Sequence, residues 1–270
     1  MALKRHKKED GLTVGGILRR KINILGVDVC DISQNLAVSN ILNLSRDKRG
    51  KHIVVTVNSE FIMLAKKNPK FGQILKNADL SVADGVGVVI AKLIFGGKVN
   101  ERVTGVDLIE KLCKESAKKA IRVGFLGGFR GVAQKLSERQ QIKYPGLKIV
   151  LAQSGNPTIG QDLRLISNIG RVGRVDILFV AYGMGQQEFW IERNRKRLDI
   201  GVFIGVGGAF DYLSGTKLRA PKIVQNSGLE WLWRLVWEPK RVWRMRVLPL
   251  FFLLIIKELI GRLSSKSKDL

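Results

Sequence analysis

The sequence predicts an α/β protein: a parallel sheet with helices on both faces, followed by a helical C-terminal appendage. Two patterns support this. Between Lys21 and Gly207, short β-branched runs alternate with segments whose apolar residues recur every three or four positions. After Asp211 the alternation stops, and tryptophans interleave with arginines ahead of an apolar tail. The chain has 270 residues, 45% of them hydrophobic, enough to bury one substantial core without a disulfide or a structural metal. These boundaries divide it into a basic tail at 1–20, an α/β domain at 21–215 and an appendage at 216–270.

In order, the first strand is predicted at Ile22 to Val29 and the first helix at Gln34 to Ser45. A strand at His52 to Val57 leads into a helix at Ser59 to Lys67, and a short strand follows at Leu80 to Ala83. The helix Val106 to Lys118 precedes a strand at Arg122 to Leu126, and the helix Val132 to Lys143 precedes one at Leu147 to Leu151. The last strands are Ile177 to Ala181 and Gly201 to Val206, with the helix Glu188 to Lys196 between them. Alternation of this kind builds parallel sheets buried on both sides. In the appendage, Pro239 starts a new helix or kinks the old one, and Arg241 and Arg244, three apart, are expected on one helical face.

Composition narrows the function. Forty-seven Lys and Arg against 23 Asp and Glu leave a formal charge of +24, which favours polyanions: nucleotide-sugars, phospholipid or nucleic acid. No apolar segment of signal-peptide length follows the basic N-terminus, so secretion is not expected. Cys30 and Cys113 lack the spacing of a zinc site, and a reducing cytoplasm is the expected compartment. The run Val247 to Ile256 is ten residues long, against the roughly 20 needed to span a bilayer. It either lies on a membrane or packs on the domain; Phe251 and Phe252, in an apolar run flanked by Arg246 and Lys257, suit an interface.

In parallel sheets, ligands bind beyond the carboxyl ends of the strands. Asp84 ends a strand before Gly85 and Gly87; the local string reads first as a helix cap, a common job for Asp ahead of a helical pattern, and second as a general base at a loop mouth. Thr56 and Asn58 offer a hydroxyl and an amide to a sugar or phosphate, or serve as turn and cap residues. Gln187 and Asp211 follow later strands and fit contacts to a base or ribose, or turns. The glycine-rich stretch Gly124 to Gly131 could cradle a phosphate, although its order does not match a dinucleotide fingerprint. With only His6 and His52, a histidine-based nucleophile system has almost no material. No D-x-D occurs; if a nucleotide diphosphate is a leaving group here, arginines and helix N-termini must take its charge.

Taken together, the strings T-V-N-S-E (56–60), A-D-G-V-G-V (83–88), R-V-T-G-V-D (102–107), G-F-L-G-G (124–128), Q-E-F-W-I (187–191), G-V-G-G-A-F-D (205–211), G-T-K-L-R-A-P (215–221), G-L-E-W-L-W-R-L (228–235) and E-P-K-R-V-W-R (238–244) closely resemble, in order and spacing, the bacterial WecG/TagA/CpsF glycosyltransferases. The resemblance implies a Rossmann-like α/β domain with a C-terminal appendage. It implies inverting transfer of N-acetylmannosamine or a related hexose from a UDP-sugar to an undecaprenyl-diphosphate-linked sugar, with no cofactor and no essential metal. It places Asp84 at the catalytic base and Arg102 in the active site, with Thr56 and Asn58 lining the sugar pocket. Gln187 and Asp211 fall on the nucleotide side, and Arg234, Arg241 and Arg244 fall at arginines that close over the diphosphate. The family usually carries Pro and a basic residue before the Q-E pair, where this chain has Gly185 and Gln186. The expected setting is peripheral, on the inner face of the cell membrane, docked through the C-terminal tail, with oligomeric state left open. The charge and the Arg/Trp interleaving also fit a nucleic-acid-binding protein, the competing expectation.

Overall fold

The computed structural model describes residues 20–268, so of the basic tail only Arg20 is described. The chain opens with β1 (Lys21–Ile24) and β2 (Val27–Cys30), then α1 (Gln34–Ser45), β3 (His52–Val57), α2 (Ser59–Lys67) and α3 (Pro69–Lys76). Next come β4 (Leu80–Ala83), α4 (Val86–Ile94), α5 (Gly105–Lys119), β5 (Arg122–Gly127), α6 (Val132–Lys143) and β6 (Lys148–Gln153). The domain continues through α7 (Ile159–Arg171), β7 (Val175–Ala181), α8 (Gln186–Asn194), β8 (Ile200–Gly205) and α9 (Ala209–Leu213). The appendage comprises α10 (Lys222–Asn226), α11 (Glu230–Trp237), a 3-10 turn (Pro239–Arg241), α12 (Val242–Met245) and α13 (Val247–Lys268).

Six strands form one parallel sheet in the order β4-β3-β8-β7-β5-β6. Alternate residues of each strand enter opposite cores. Val55, Val57 and Phe203 pack with α2, α3, α4 and α8, whereas Val54, Val202 and Ile204 pack with α1, α5 and α6. The fold is therefore α/β with both sheet faces covered, as the sequence predicts.

The predicted strand at 22–29 is instead a hairpin, with β1 and β2 antiparallel in their own two-stranded sheet. Leu25 (φ 51°) and Gly26 (φ 89°) both take left-handed conformations, the geometry of a two-residue hairpin turn. The segment carrying Gly85 and Gly87, read as a loop, becomes helix α4 from Val86 onward.

The tail does not choose between packing and exposure, because its two faces do different things. Phe251 and Ile255 are buried in the core with α2 and α4, while Leu253, Ile256, Ile260 and Leu263 are exposed. Polar contacts also anchor α13: Glu258 accepts the Leu25 backbone N–H at 3.2 Å, and Arg262 donates to the Asn23 carbonyl at 2.9 Å. Phe251 is thus a core residue and not a membrane-facing one. Among the described residues, no helix is long and apolar enough to cross a membrane.

Candidate active site

The register of β3 and β4 creates the first half of the site. Val57 pairs with Ala83, so Asn58 and Asp84 leave the sheet side by side, and the Asp84 backbone N–H donates to the Val57 carbonyl at 2.9 Å. Asn58 caps α2, its Oδ1 accepting the Phe61 N–H at 3.1 Å. Asp84 is not a cap: Gly85 occupies that position at α4, with no side-chain bond. The Asp84 carboxylate is thereby left to the loop mouth.

Its surroundings come largely from the appendage. Gly228 lies against the start of α4, where an added Cβ would sit 3.1 Å from a Val86 methyl. Two residues later Glu230, buried, accepts from Arg102 at 2.8 Å with one oxygen and from Arg234 with the other. Arg234 also lies over the Tyr212 ring, 4.8 Å from its centroid. Burial pushes the Asp84 pKa up to about 6; Arg234 and Arg102 pull against that rise, and Glu230 and Asp107 add to it. A carboxyl tuned to about 6 is a stronger base than an ordinary aspartate and is still mostly ionised at neutral pH, the condition a general base requires. Glu230, by contrast, is held below its ordinary value because Arg234 and Arg102 outweigh its burial.

Asp107 completes the cluster. Thr104 caps α5, accepting the Asp107 N–H at 3.1 Å while its hydroxyl donates to Asp107 Oδ2 at 2.7 Å. Asp107 Oδ1 accepts from Arg219 Nη1 at 2.8 Å. Nε and Nη2 of Arg219, and Nε of Arg234, are buried without a hydrogen-bond partner among the described residues.

The loops after β7 and β8 form the other half. Gln187 is buried, and both ends of its amide are engaged: Nε2 donates to Glu188 at 2.7 Å and Oε1 accepts the Gly207 N–H at 2.9 Å. It ties the two loops together and does not present a free amide to a ligand. Glu188 also accepts the Gly185 N–H at 2.8 Å; burial lifts its pKa to about 7 against those bonds. Gly205 has no space for a side chain here, since a Cβ would lie 2.5 Å from Glu188 Oε1. Thr56 is buried and donates to the Gly205 carbonyl at 3.0 Å, a bond between neighbouring strands and not the local turn or cap that is its alternative. Asp211 pairs with Lys217 at 3.2 Å.

The three appendage arginines part company. Only Arg234 reaches the Asp84 cluster. Arg241 lies in the 3-10 turn and pairs with Glu238 at 2.5 Å, which in turn holds Lys217 at 2.7 Å, while Arg244 binds Glu60 of α2 at 2.7 Å. Pro239 opens the 3-10 turn that ends at Arg241, α12 follows directly and carries Arg244, and the two arginines take different carboxylate partners. The glycine-rich loop after β5 is also not an open phosphate cradle. Its Gly128, Gly131 and Val132 amides donate to Ala181, Ser154 and Phe129, and it lies four strand spacings, about 19 Å, from the tip of β4. At the opposite rim of the sheet, away from this site, lies a cleft between Arg46, Lys48, Lys119 and Arg174, in which Arg174 binds the Asp47 carbonyl, Asp176 and Asp199.

This geometry accords with comparisons to known proteins. Residues 22–265 match the glycosyl transferase WecG/TagA/CpsF family. The chain belongs to that family. It is similar to proteins named N-acetylglucosaminyldiphosphoundecaprenol N-acetyl-beta-D-mannosaminyltransferase: 31% identical to that of Bacillus spizizenii, covering 86% of this chain and 89% of the relative. The Bacillus subtilis protein is 30% identical over 78% of this chain and 82% of its own, and that of Staphylococcus aureus strain MW2 28% identical over 88% and 92%. This member of the WecG/TagA/CpsF family is accordingly a glycosyltransferase, and the nucleic-acid reading finds no support in these relatives.

Glu230, Thr104, Asp107 and Arg219 lie outside the set that sequence reasoning selected, and the first three carry a visible signal. Glu230 stands four residues before Arg234 in a helical stretch, the spacing of an ion pair, and Thr104-x-x-Asp107 has the form of a helix-capping motif. Arg219 has no such signal, because its partner Asp107 is 112 residues away.

Proposed function

We propose that this chain transfers N-acetylmannosamine or a closely related hexose, with inversion, from a UDP-sugar to N-acetylglucosaminyl-diphospho-undecaprenol. In the single displacement, an acceptor hydroxyl oxygen bonds to the anomeric carbon as the bond from that carbon to the UDP oxygen breaks. Asp84 takes the hydroxyl proton, and UDP leaves with the bonding pair. Arg102 and Arg234 stabilise the negative charge that develops on the diphosphate, so that no metal is required. The observation carrying this reading is a carboxylate tuned to about 6 at a strand tip, beside Asn58 and facing two guanidiniums.

On this reading Asn58 contacts the sugar, while Thr56 and Gln187 shape the pocket from behind. Asp211 binds on the nucleotide side, and Arg241 and Arg244 hold the appendage in place until substrate arrives. The exposed apolar face of α13, flanked by Arg246 and Lys257, supports docking on the inner face of the cell membrane, where a lipid-linked acceptor resides.

The test is a screen of UDP-sugars with a short-chain lipid-diphospho-GlcNAc acceptor, comparing the native enzyme with Asp84→Asn, with and without EDTA. Product from the native enzyme in EDTA, and a loss of about 10²-fold or more in the variant, is the expected result. Full activity in Asp84→Asn would remove the base from the mechanism.

A further inference from the structure

We propose that Arg219 is an anion-binding residue of this enzyme, its free guanidinium edge taking an oxygen of a substrate diphosphate. This rests on the glycosyl-transfer reading and adds to it a residue from the loop between α9 and α10. One nitrogen, Nη1, is fixed on Asp107 at 2.8 Å, and Asp107 is itself held by Thr104. The other two, Nε and Nη2, are buried and have no partner among the described residues. These two N–H groups form one edge of the planar fork, the edge that matches two oxygens of a phosphate. Buried donors are paired in the great majority of cases, so an anchored guanidinium with a whole edge unpaired indicates an acceptor supplied from outside the chain.

The position is appropriate. Arg219 interacts electrostatically with Asp107 and Glu230, and both of those act on Asp84. An oxyanion on Arg219 would therefore share the charged neighbours Asp107 and Glu230 with the proposed base. Arg234 has an unpaired buried Nε in the same cluster. Arg102, Arg219 and Arg234 are matched by the carboxylates of Asp84, Asp107 and Glu230, so the cluster is electrically balanced, and an arriving diphosphate competes with protein carboxylates for the arginines.

Both substrates of the proposed reaction contain a diphosphate, and the experiment separates them. Binding of UDP, inorganic pyrophosphate and uridine to the full chain is measured by calorimetry, and the KM for the lipid-diphospho-GlcNAc acceptor by kinetics, for native protein, Arg219→Gln and Arg219→Lys. Lysine keeps a cation on Asp107 but lacks the fork, which guards against loss of folding in the glutamine variant; melting temperatures monitor both. The expected result is a fall of about ten-fold or more in pyrophosphate affinity, with uridine affinity unchanged. A matching fall for UDP assigns the fork to the donor, and a rise confined to the acceptor KM assigns it to the acceptor. Unchanged pyrophosphate and UDP affinities together with an unchanged acceptor KM, in folded variants, would overturn the assignment. Should native protein bind pyrophosphate through Arg219 but show no affinity for UDP, the nucleotide donor fails and the anion site stands.

Discussion

Asp84→Asn is expected to make the protein more stable while removing its activity. Asp84 titrates near 6 in the folded chain against an ordinary value of 3.8, so the folded state holds the proton more tightly than the unfolded chain does. Below pH 3.8 both states are protonated and the carboxyl brings no penalty. As pH rises the unfolded chain releases its proton first, and the penalty on folding grows until it levels off above the folded value. The two values correspond to about 1.6 kcal/mol at pH 5 and about 3 kcal/mol at pH 8. Asparagine removes the charge at nearly constant volume. Urea unfolding of native and variant protein at pH 5, 6, 7 and 8 should give a stability difference that favours the variant and widens by about 1.4 kcal/mol across the series. The same titration should set the acidic limb of kcat/KM near 6. A difference that is flat with pH, or a variant less stable at pH 8, would refute the claim that desolvation of Asp84 is balanced only in part by Arg102 and Arg234.

Other perturbations address separate parts of the structure. Phe251→Ala should destabilise the fold by about 3 to 5 kcal/mol in denaturant unfolding, because the ring is fully buried between α13 and α4. The pair Leu253→Glu with Ile256→Glu, on the exposed face, should leave the melting temperature unchanged while abolishing sedimentation with anionic phospholipid vesicles. Gln187→Leu should lower stability by about 1 to 3 kcal/mol, since it leaves the Gly207 N–H and one oxygen of buried Glu188 unpaired; chemical denaturation reads this directly. His52 lies 3.0 Å from both Asp79 and Asp47, and its pKa is raised first by the Asp79 bond and, against burial, by Asp47. Its protonated form therefore stabilises the fold below the unfolded value of 6.5, and that contribution is lost as pH rises through the higher folded value. The stability deficit of His52→Phe should accordingly shrink between pH 6 and pH 9.

The sheet was legible because its strands are short apolar runs bounded by loops, and His52–Val57 and Leu80–Ala83 fall where the residue pattern puts them. The hairpin at Leu25–Gly26 was not, because leucine at a positive φ breaks the usual composition of such turns. Helix α4 was obscured by its own glycine: Gly87 reads as a loop residue, yet its missing Cβ admits the Ser59 hydroxyl and brings Phe251 of α13 close. In the site, Asp84 was legible at a strand end followed by glycine. The roles of Gln187 and Thr56 were not, because a polar residue after a strand looks the same whether it faces a ligand or braces a neighbouring loop. Only long-range pairing separates the two, and it divides Arg234, at Asp84, from Arg241 and Arg244, which lie on Glu238 and Glu60.

The boundary near residue 215 marks a change in sequence pattern, but it cuts through the chemistry. Asp84 and Arg102 come from the sheet side, whereas Glu230 and Arg234, which set the electrostatic balance around Asp84, come from the appendage. The same appendage continues into α13, whose inner face packs against α2 and α4, the helices that begin beside Asn58 and Asp84. A displacement of α13 on binding a surface would thus bear on the two helices that frame the proposed base and on the segment that carries its counter-charges. Two close contacts join the appendage to the start of α4: Phe251 of α13 lies against Gly87, and Gly228 lies against Val86.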